Sequence, residues 1–431
     1  MKEAIADWLR GHREEIKTTY GELHALAEAS WQEHRTTAYL SRALDEMGVP
    51  YDTFANHTGL VAHWIGGGED AGGSEGEGSD GIGCGGRDSG GANGEGIGIA
   101  AKGRAVKGRA VKGPCIALRT DIDALWQQVD GVARANHSCG HDAHMTMALF
   151  ALKALRAVGF RPAGELRVLF QPAEEVGEGA LKLLEAGCLD GVDVLLGIHL
   201  RPVKELAYGK VSGAIYHGAC AVLEGKVKGS QAHAARPSDG LNAIEVLADI
   251  VQAVRSISAS YAAVPASCKV TKLHVPNESS NIIPDLGAFT IDVRAQTNEA
   301  MDALLPDLEA AVHAVGQAHG SPVMLRMRSR TAAACPDPGL EALIGAVVAE
   351  LLGEDGHAPP PVTPGGEDFH FYALHRPGLR ATMVGLGCGL RPGLHHPHMQ
   401  FDLDALEIGA AVLALSVVRM QSRFSDLSVD S

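Results

Sequence analysis

The segment His137-Ser138-Cys139-Gly140-His141-Asp142-Ala143-His144 packs one thiol and three imidazoles into eight residues. Thiolate and imidazole are soft to borderline ligands, and this density points to a transition-metal site more than to a buried thiol beside surface histidines. Only a small residue separates Cys139 from His141, so on an irregular loop both can face one ion. The apolar run 145–155 begins a helix that holds this loop, with Asp142 expected as its cap.

Other chemistry-bearing residues stand where aliphatic runs end. Run 115–118 leads to Arg119-Thr120-Asp121-Ile122-Asp123, run 166–170 to Gln171-Pro172-Ala173-Glu174-Glu175, run 192–198 to His199, and run 381–386 to His395-His396-Pro397-His398. Such runs separated by helical stretches read as an α/β fold with a mixed sheet flanked by helices. Ligands in open α/β sheets gather at the carboxyl ends of the strands, so these separated groups can meet the Cys139 loop in one crevice. An acid at a strand end often only caps a helix; four coincident ends favour a site.

Cys139, His141, Glu175, His199 and His395 together offer one thiolate, one carboxylate and three imidazoles. That is too many for a four-coordinate ion, whereas two adjacent ions sharing a bridging group use them all. A two-metal site brings a bound water near neutrality in pKa and polarises a carbonyl, leaving a base to be found. Glu174, beside Glu175, is the candidate, able to pass the proton on to a leaving amine. Asp121 is expected to accept a hydrogen bond from a ligand histidine and fix its tautomer, and Asp123 to be structural. His396 and His398 compete with His395 for the last ligand position.

The chain has 431 residues, enough for two domains. The expected division is a catalytic domain formed by 1–216 and 331–431, with an inserted α+β domain at 217–330. Within the insert, strand, helix, two strands and a helix follow in order, a ferredoxin-like pattern that carries His233, Asn281 and Arg294. Residues 20–47 read as one helix stopping at Gly48, and 60–65 as a strand. Residues 66–113 are mostly Gly, Ser, Asp and Glu and end in a basic repeat, a composition expected to stay disordered. Two motif look-alikes inside that insertion, at 72–76 and 81–86, neither follow a strand nor open a helix.

The formal charge of −15 argues against nucleic acid or an anionic membrane as partner and favours a small-molecule substrate. Eight cysteines without a Cys-x-x-Cys pair, and an N-terminus lacking the apolar core of a signal peptide, suit a reducing cytoplasm. The run 408–418 is shorter than the roughly 20 residues of a membrane span and reads as a core helix.

With these residues in view, the chain resembles the dinuclear metallopeptidases that include aminoacylases and zinc carboxypeptidases. Within them it is similar to the amidohydrolase branch of hippurate and auxin-conjugate hydrolases. The resemblance spans nearly everything outside the Gly-rich insertion: His24, Glu33 to Thr36, the Arg119 to Leu125 segment, the His137 to His144 cluster, Gln171 to Glu175, Gly197-Ile198-His199, Gly229 to Pro237, Asn281 to Asp285, Gly366-Glu367-Asp368-Phe369 and Leu394 to Pro397. It implies two divalent ions, Zn or Mn with Co as a further candidate, held by Cys139, His141, Glu175, His199 and His395, with Glu174 as general base. It further implies a lid and homodimerisation domain in which His233 stabilises the oxyanion and Asn281 and Arg294 contact the substrate's carboxylate end. The activity implied is hydrolysis of the amide bond of N-acyl amino acids or related peptide-like compounds. A non-catalytic metal-binding protein on the same fold is the alternative, although it has no need of Glu174; a two-metal phosphoesterase lacks its usual Asp-rich and basic surroundings here. Trp126 stands where the family usually has Pro.

Overall fold

The computed structural model describes residues 1–66, 99–100 and 113–427, with side chains described in 1–66 and 113–424. The Gly-rich insertion and both look-alike motifs therefore lie outside the described residues, apart from its ends and Ile99–Ala100. Those two residues pair with Tyr51–Phe54 as an edge strand, where a structureless loop was expected.

The larger sheet has eight strands in the order Ile99–Ala100, Tyr51–Phe54, Leu60–Ile65, Glu165–Gln171, Cys115–Asp121, Val194–Pro202, Arg380–Leu390 and Val211–Ser212. The four strands from Glu165–Gln171 to Arg380–Leu390 are parallel, and those at the flanks antiparallel, so the sheet is mixed as expected. Alternation explains why the inner strands read as continuous apolar runs. Ile116, Leu118, Leu166, Val168, Leu196, Ile198, Val384 and Leu386 enter the core on one face, while Ala117, Leu169, Leu195 and Met383 enter the core on the other. The first face is covered by His141–Ala157 and Ala405–Leu427, the second by the short Gly179–Glu185 and His370–His375.

Ala405–Leu427 outruns the apolar stretch visible in sequence. Its part Ala405–Phe424 is long and apolar enough to cross a membrane, yet 78 % of that stretch is buried within the protein, as a core helix must be. Residues 20–47 do not form one helix. Arg13–Ala25 and His34–Met47 are separated by an irregular turn in which Trp31 has φ 67°, and Glu33 in that turn is buried. The second helix ends at Gly48 with φ 63°, a left-handed position where glycine carries no Cβ penalty.

The smaller sheet is antiparallel, in the order Ala266–His274, Leu286–Ala295, Ala219–Lys228 and Val323–Thr331. Ala243–Ser260 and Asn298–Ala318 pack on one face around Leu223, Ile250, Ile291 and Leu308, completing the ferredoxin-like order. The fourth strand, Val323–Thr331, went unseen in the sequence, although Val323, Leu325 and Met327 recur at every second position.

Candidate metal centre

The ends of two strands, Cys115–Asp121 and Glu165–Gln171, the inner position His199 of Val194–Pro202, where a strand end was expected, and two loops converge on Cys139. Gly140 adopts φ 89°, which lets the chain turn from Cys139 into the helix beginning at His141. Gly140, not Asp142, is the residue preceding that helix. Asp142 lies in the first turn, where one oxygen accepts from the Ala143 N–H and the other faces His24 Nδ1 at 2.7 Å.

Around Cys139 Sγ stand His199 Nε2 at 3.6 Å and His395 Nε2 at 3.3 Å. His141 Nε2 is 3.8 Å from both Glu174 Oε2 and Glu175 Oε1, and His395 Nε2 is 3.7 Å from Glu175 Oε2. Cys139, His141 and His199 can share one cation by distance, and so can Cys139, Glu175 and His395; only Cys139 is common to both sets. His396 is turned elsewhere, its Nδ1 accepting from the His398 backbone N–H.

The backbone sets the ring faces that look inward. His199 Nδ1 donates to the Leu200 carbonyl at 2.7 Å, and His141 Nδ1 to the Asp123 carbonyl at 2.8 Å, so Nε2 of each is left for a cation. His144 is spent differently: Nδ1 binds Asp121 Oδ1 at 2.7 Å and Nε2 accepts from the Leu200 N–H at 3.1 Å. The histidine that Asp121 orients is thus His144, while Asp123, expected to be merely structural, holds His141. His137 is buried with neither ring nitrogen partnered, and burial takes it down to about 4, keeping it neutral.

The acids rest on a turn braced from the N-terminal segment. Glu33 Oε1 accepts from the Ala173 N–H, and Asp123 Oδ2 accepts from both the Glu175 N–H and the Ser30 hydroxyl. His395, at φ 62°, is tied by its N–H to the Ser138 carbonyl and by its own carbonyl to the Gln127 amide.

A divalent ion fits this donor set. His141 Nε2 and Glu175 Oε1 are buried without a hydrogen-bond partner, a costly state that a cation between them relieves. Burial, together with Asp123 and Asp121, pushes Glu175 up to about 8 against the pull of His141. Burial and the nearby Glu367, Glu175 and Asp368 raise Glu174 well above the usual carboxylate range. So many buried acids call for added positive charge.

A cavity of about 850 Å³ opens from Cys139, Glu174, Glu175, His199 and His395 toward the smaller sheet, where Arg294 lines its wall. Arg294 is occupied by Asp292, with Nη1 at 2.7 Å from Cys220 Sγ. His233 and Asn281 do not line this cavity. They are neighbours on the exposed Ala232–His233 and Ile282–Ile283 pairing, where the Ala234 N–H donates to the Asn281 carbonyl.

Sequence reasoning passed over Arg119. It is buried and binds Asp121 at 2.7 Å, Asp368 at 2.8 Å and Glu367 at 3.0 Å. An arginine inside an aliphatic central strand was itself a signal, since such a charge must be paired. His217 and Arg201, which also line the cavity, are joined to each other at 3.5 Å and, through His217 Nδ1, to His370 at 3.0 Å.

The comparison with known families decides the lineage: the model of Peptidase family M20/M25/M40 matches residues 117–419. The chain belongs to that family. It is 29 % identical to the N-acetyl-L-cysteine deacetylase of Bacillus subtilis, over 94 % of this chain and 89 % of that protein. It is 26 % identical to the IAA-amino acid hydrolase ILR1-like 4 of Arabidopsis thaliana, over 96 % of this chain and 86 % of the relative. In fold it is similar to a Bacillus subtilis dinuclear metal binding peptidase from the M20 family, with TM-score 0.73 and 23 % identity over 96 % of this chain and 99 % of the other. This M20 chain is accordingly a hydrolase.

Proposed function

We propose that this M20 hydrolase cleaves the amide bond of N-acyl amino acids, using two divalent ions of Zn or Mn, or Co in their place, at Cys139. The observation that carries this reading is that Cys139 belongs both to a ligand set with His141 and His199 and to one with Glu175 and His395, while Glu174 forms a further set with His141 and Glu175 beside them. Cys139, His141, Glu175, His199 and His395 would hold the ions. Bound there, the ions supply a water acidified toward neutrality and a polarised carbonyl.

Glu174 takes the water's proton at a carboxylate oxygen and returns it to the leaving nitrogen. Its raised affinity for a proton draws the proton from the water onto the ionised carboxylate. Asp123 keeps His141 in the tautomer that leaves Nε2 free, and Asp121 anchors the helix through His144. Arg294, on the cavity wall, receives the substrate's carboxylate. His233 and Asn281, exposed on the smaller sheet's domain and outside this chain's own cavity, are suited to reach the active site of a second copy, so that His233 would supply the oxyanion donor in a homodimer joined through that domain. The names of the relatives, a deacetylase of N-acetylcysteine and a hydrolase of auxin conjugates, support the substrate class. The seven described cysteines are all free, which suits a cytoplasmic location.

The test is the metal-stripped protein assayed on N-acetyl, N-benzoyl and longer N-acyl amino acids while Zn, Mn or Co is added back singly. Free amino acid should appear only with metal. A protein that binds metal and hydrolyses none of them would be a binding protein on this fold.

A further inference from the structure

The lid wall of the cavity contains an irregularity that points at substrate choice. Along the pairing of Ala219–Lys228 with Val323–Thr331, Val222 faces Ser329 but Leu223 faces Met327, so Arg328 is an extra residue with no partner opposite. Such a bulge re-aims a side chain. In a regular pleat adjacent residues point to opposite faces, yet here Arg328 and Ser329 both line the cavity, with Val222 and Thr331 beside them.

Charge on this wall does not balance. Arg201 is matched by Glu205 and Arg294 by Asp292. Arg328 instead shares a single acid, Glu224, with Arg326: Nη1 of Arg328 is 3.2 Å from one Glu224 oxygen and Nη2 of Arg326 is 3.3 Å from the other. Two guanidinium groups against one carboxylate leave one positive charge over, and of the pair only Arg328 lines the cavity. The remaining donors of Arg328 can take a planar anion in a two-pronged grip.

We propose that Arg328 is a specificity-determining residue that selects N-acyl amino acids carrying a second carboxylate, an inference that rests on the hydrolase reading above. The second carboxylate belongs either to the amino-acid side chain or to the acyl group. Arg294 would hold the carboxylate common to all substrates, and Arg328 the additional one.

The experiment compares kcat/KM for two pairs on the metal-loaded enzyme: N-acetyl-glutamate against N-acetyl-glutamine, and an N-succinyl amino acid against its N-succinamoyl amide. Each pair differs by little except the charge. The expected result is a preference of about 10–100-fold for the acid of one pair, the worth of one charge-assisted hydrogen bond, and the favoured pair locates the carboxylate. Arg328→Gln should abolish that preference, Arg328→Lys should restore part of it, and Arg326→Gln, altered outside the cavity, should keep it. Equal rates within both pairs, or a preference that survives Arg328→Gln, would overturn the assignment. If no N-acyl amino acid is turned over, the hydrolase reading fails separately. The same pairs are then compared by calorimetric Kd on the metal-loaded protein, where a charge preference lost in Arg328→Gln supports the assignment and equal affinities overturn it.

Discussion

Glu174→Gln is expected to keep both metal ions and to lower kcat on the order of 10²–10⁴-fold, the usual contribution of a positioned general base. The change preserves shape and removes only the ability to take a proton. Glu174 sits 3.8 Å from the Nε2 of His141, with burial and the nearby Glu367, Glu175 and Asp368 raising its affinity for a proton. In its ionised form Glu174 can take a proton from a water beside it and later give that proton to the leaving nitrogen. Glu175→Gln, by contrast, should lower metal content, because Glu175 Oε1 has no hydrogen-bond partner to occupy it. Metal content by elemental analysis and kcat on the best N-acyl amino acid separate the two cases. Near-normal turnover in Glu174→Gln would remove Glu174 from the role.

Arg119→Met is expected to destabilise the fold by about 3–5 kcal/mol, because it strands buried carboxylates without their counter-ion. Arg119 joins Asp121, Glu367 and Asp368 beneath the centre, and Gln171 and the Ala180 N–H complete the wrapping of Asp368. The loss should depend on pH. Burial pushes the Asp368 carboxyl from the usual 3.8 up to about 7 even with Arg119 present. A folded-state value above the unfolded one means that unfolding releases a proton, so this group's stabilisation is complete below about 3.8 and falls away as pH rises toward 7. Without Arg119 the folded value rises further, so the variant should lose more against the parent at pH 8 than at pH 5. Denaturant midpoints at the two values check this, and a pH-independent difference would refute it.

The metal candidates were legible in sequence because thiol and imidazole ligands crowded at 137–144 and recurred at strand ends. A parallel central sheet buries both faces, so its strands also stood out as apolar runs. What stayed hidden depends on through-space pairing. Whether Asp121 serves His141 or His144 is decided by which ring lies opposite it, and no spacing encodes that. The break between Arg13–Ala25 and His34–Met47 lacks any proline or glycine near Trp31 to announce it, and it exists so that Glu33 can reach the Ala173 N–H. Val323–Thr331 escaped notice because its apolar alternation is only three residues long, Val323, Leu325 and Met327, while Arg328, Ser329 and Thr331 beyond it line the cavity. The three histidines of 395–398 were indistinguishable as letters; the left-handed turn at His395 aims that one at Cys139.

The most direct test of the central claim is the number of divalent ions per chain, measured by elemental analysis after loading with Zn or Mn and exhaustive dialysis, in the parent protein and in Cys139→Ala. Two ions per chain in the parent, with loss of both tight sites on removing the one ligand common to both sets, is the predicted result. One ion per chain, or two ions retained without Cys139, would contradict it.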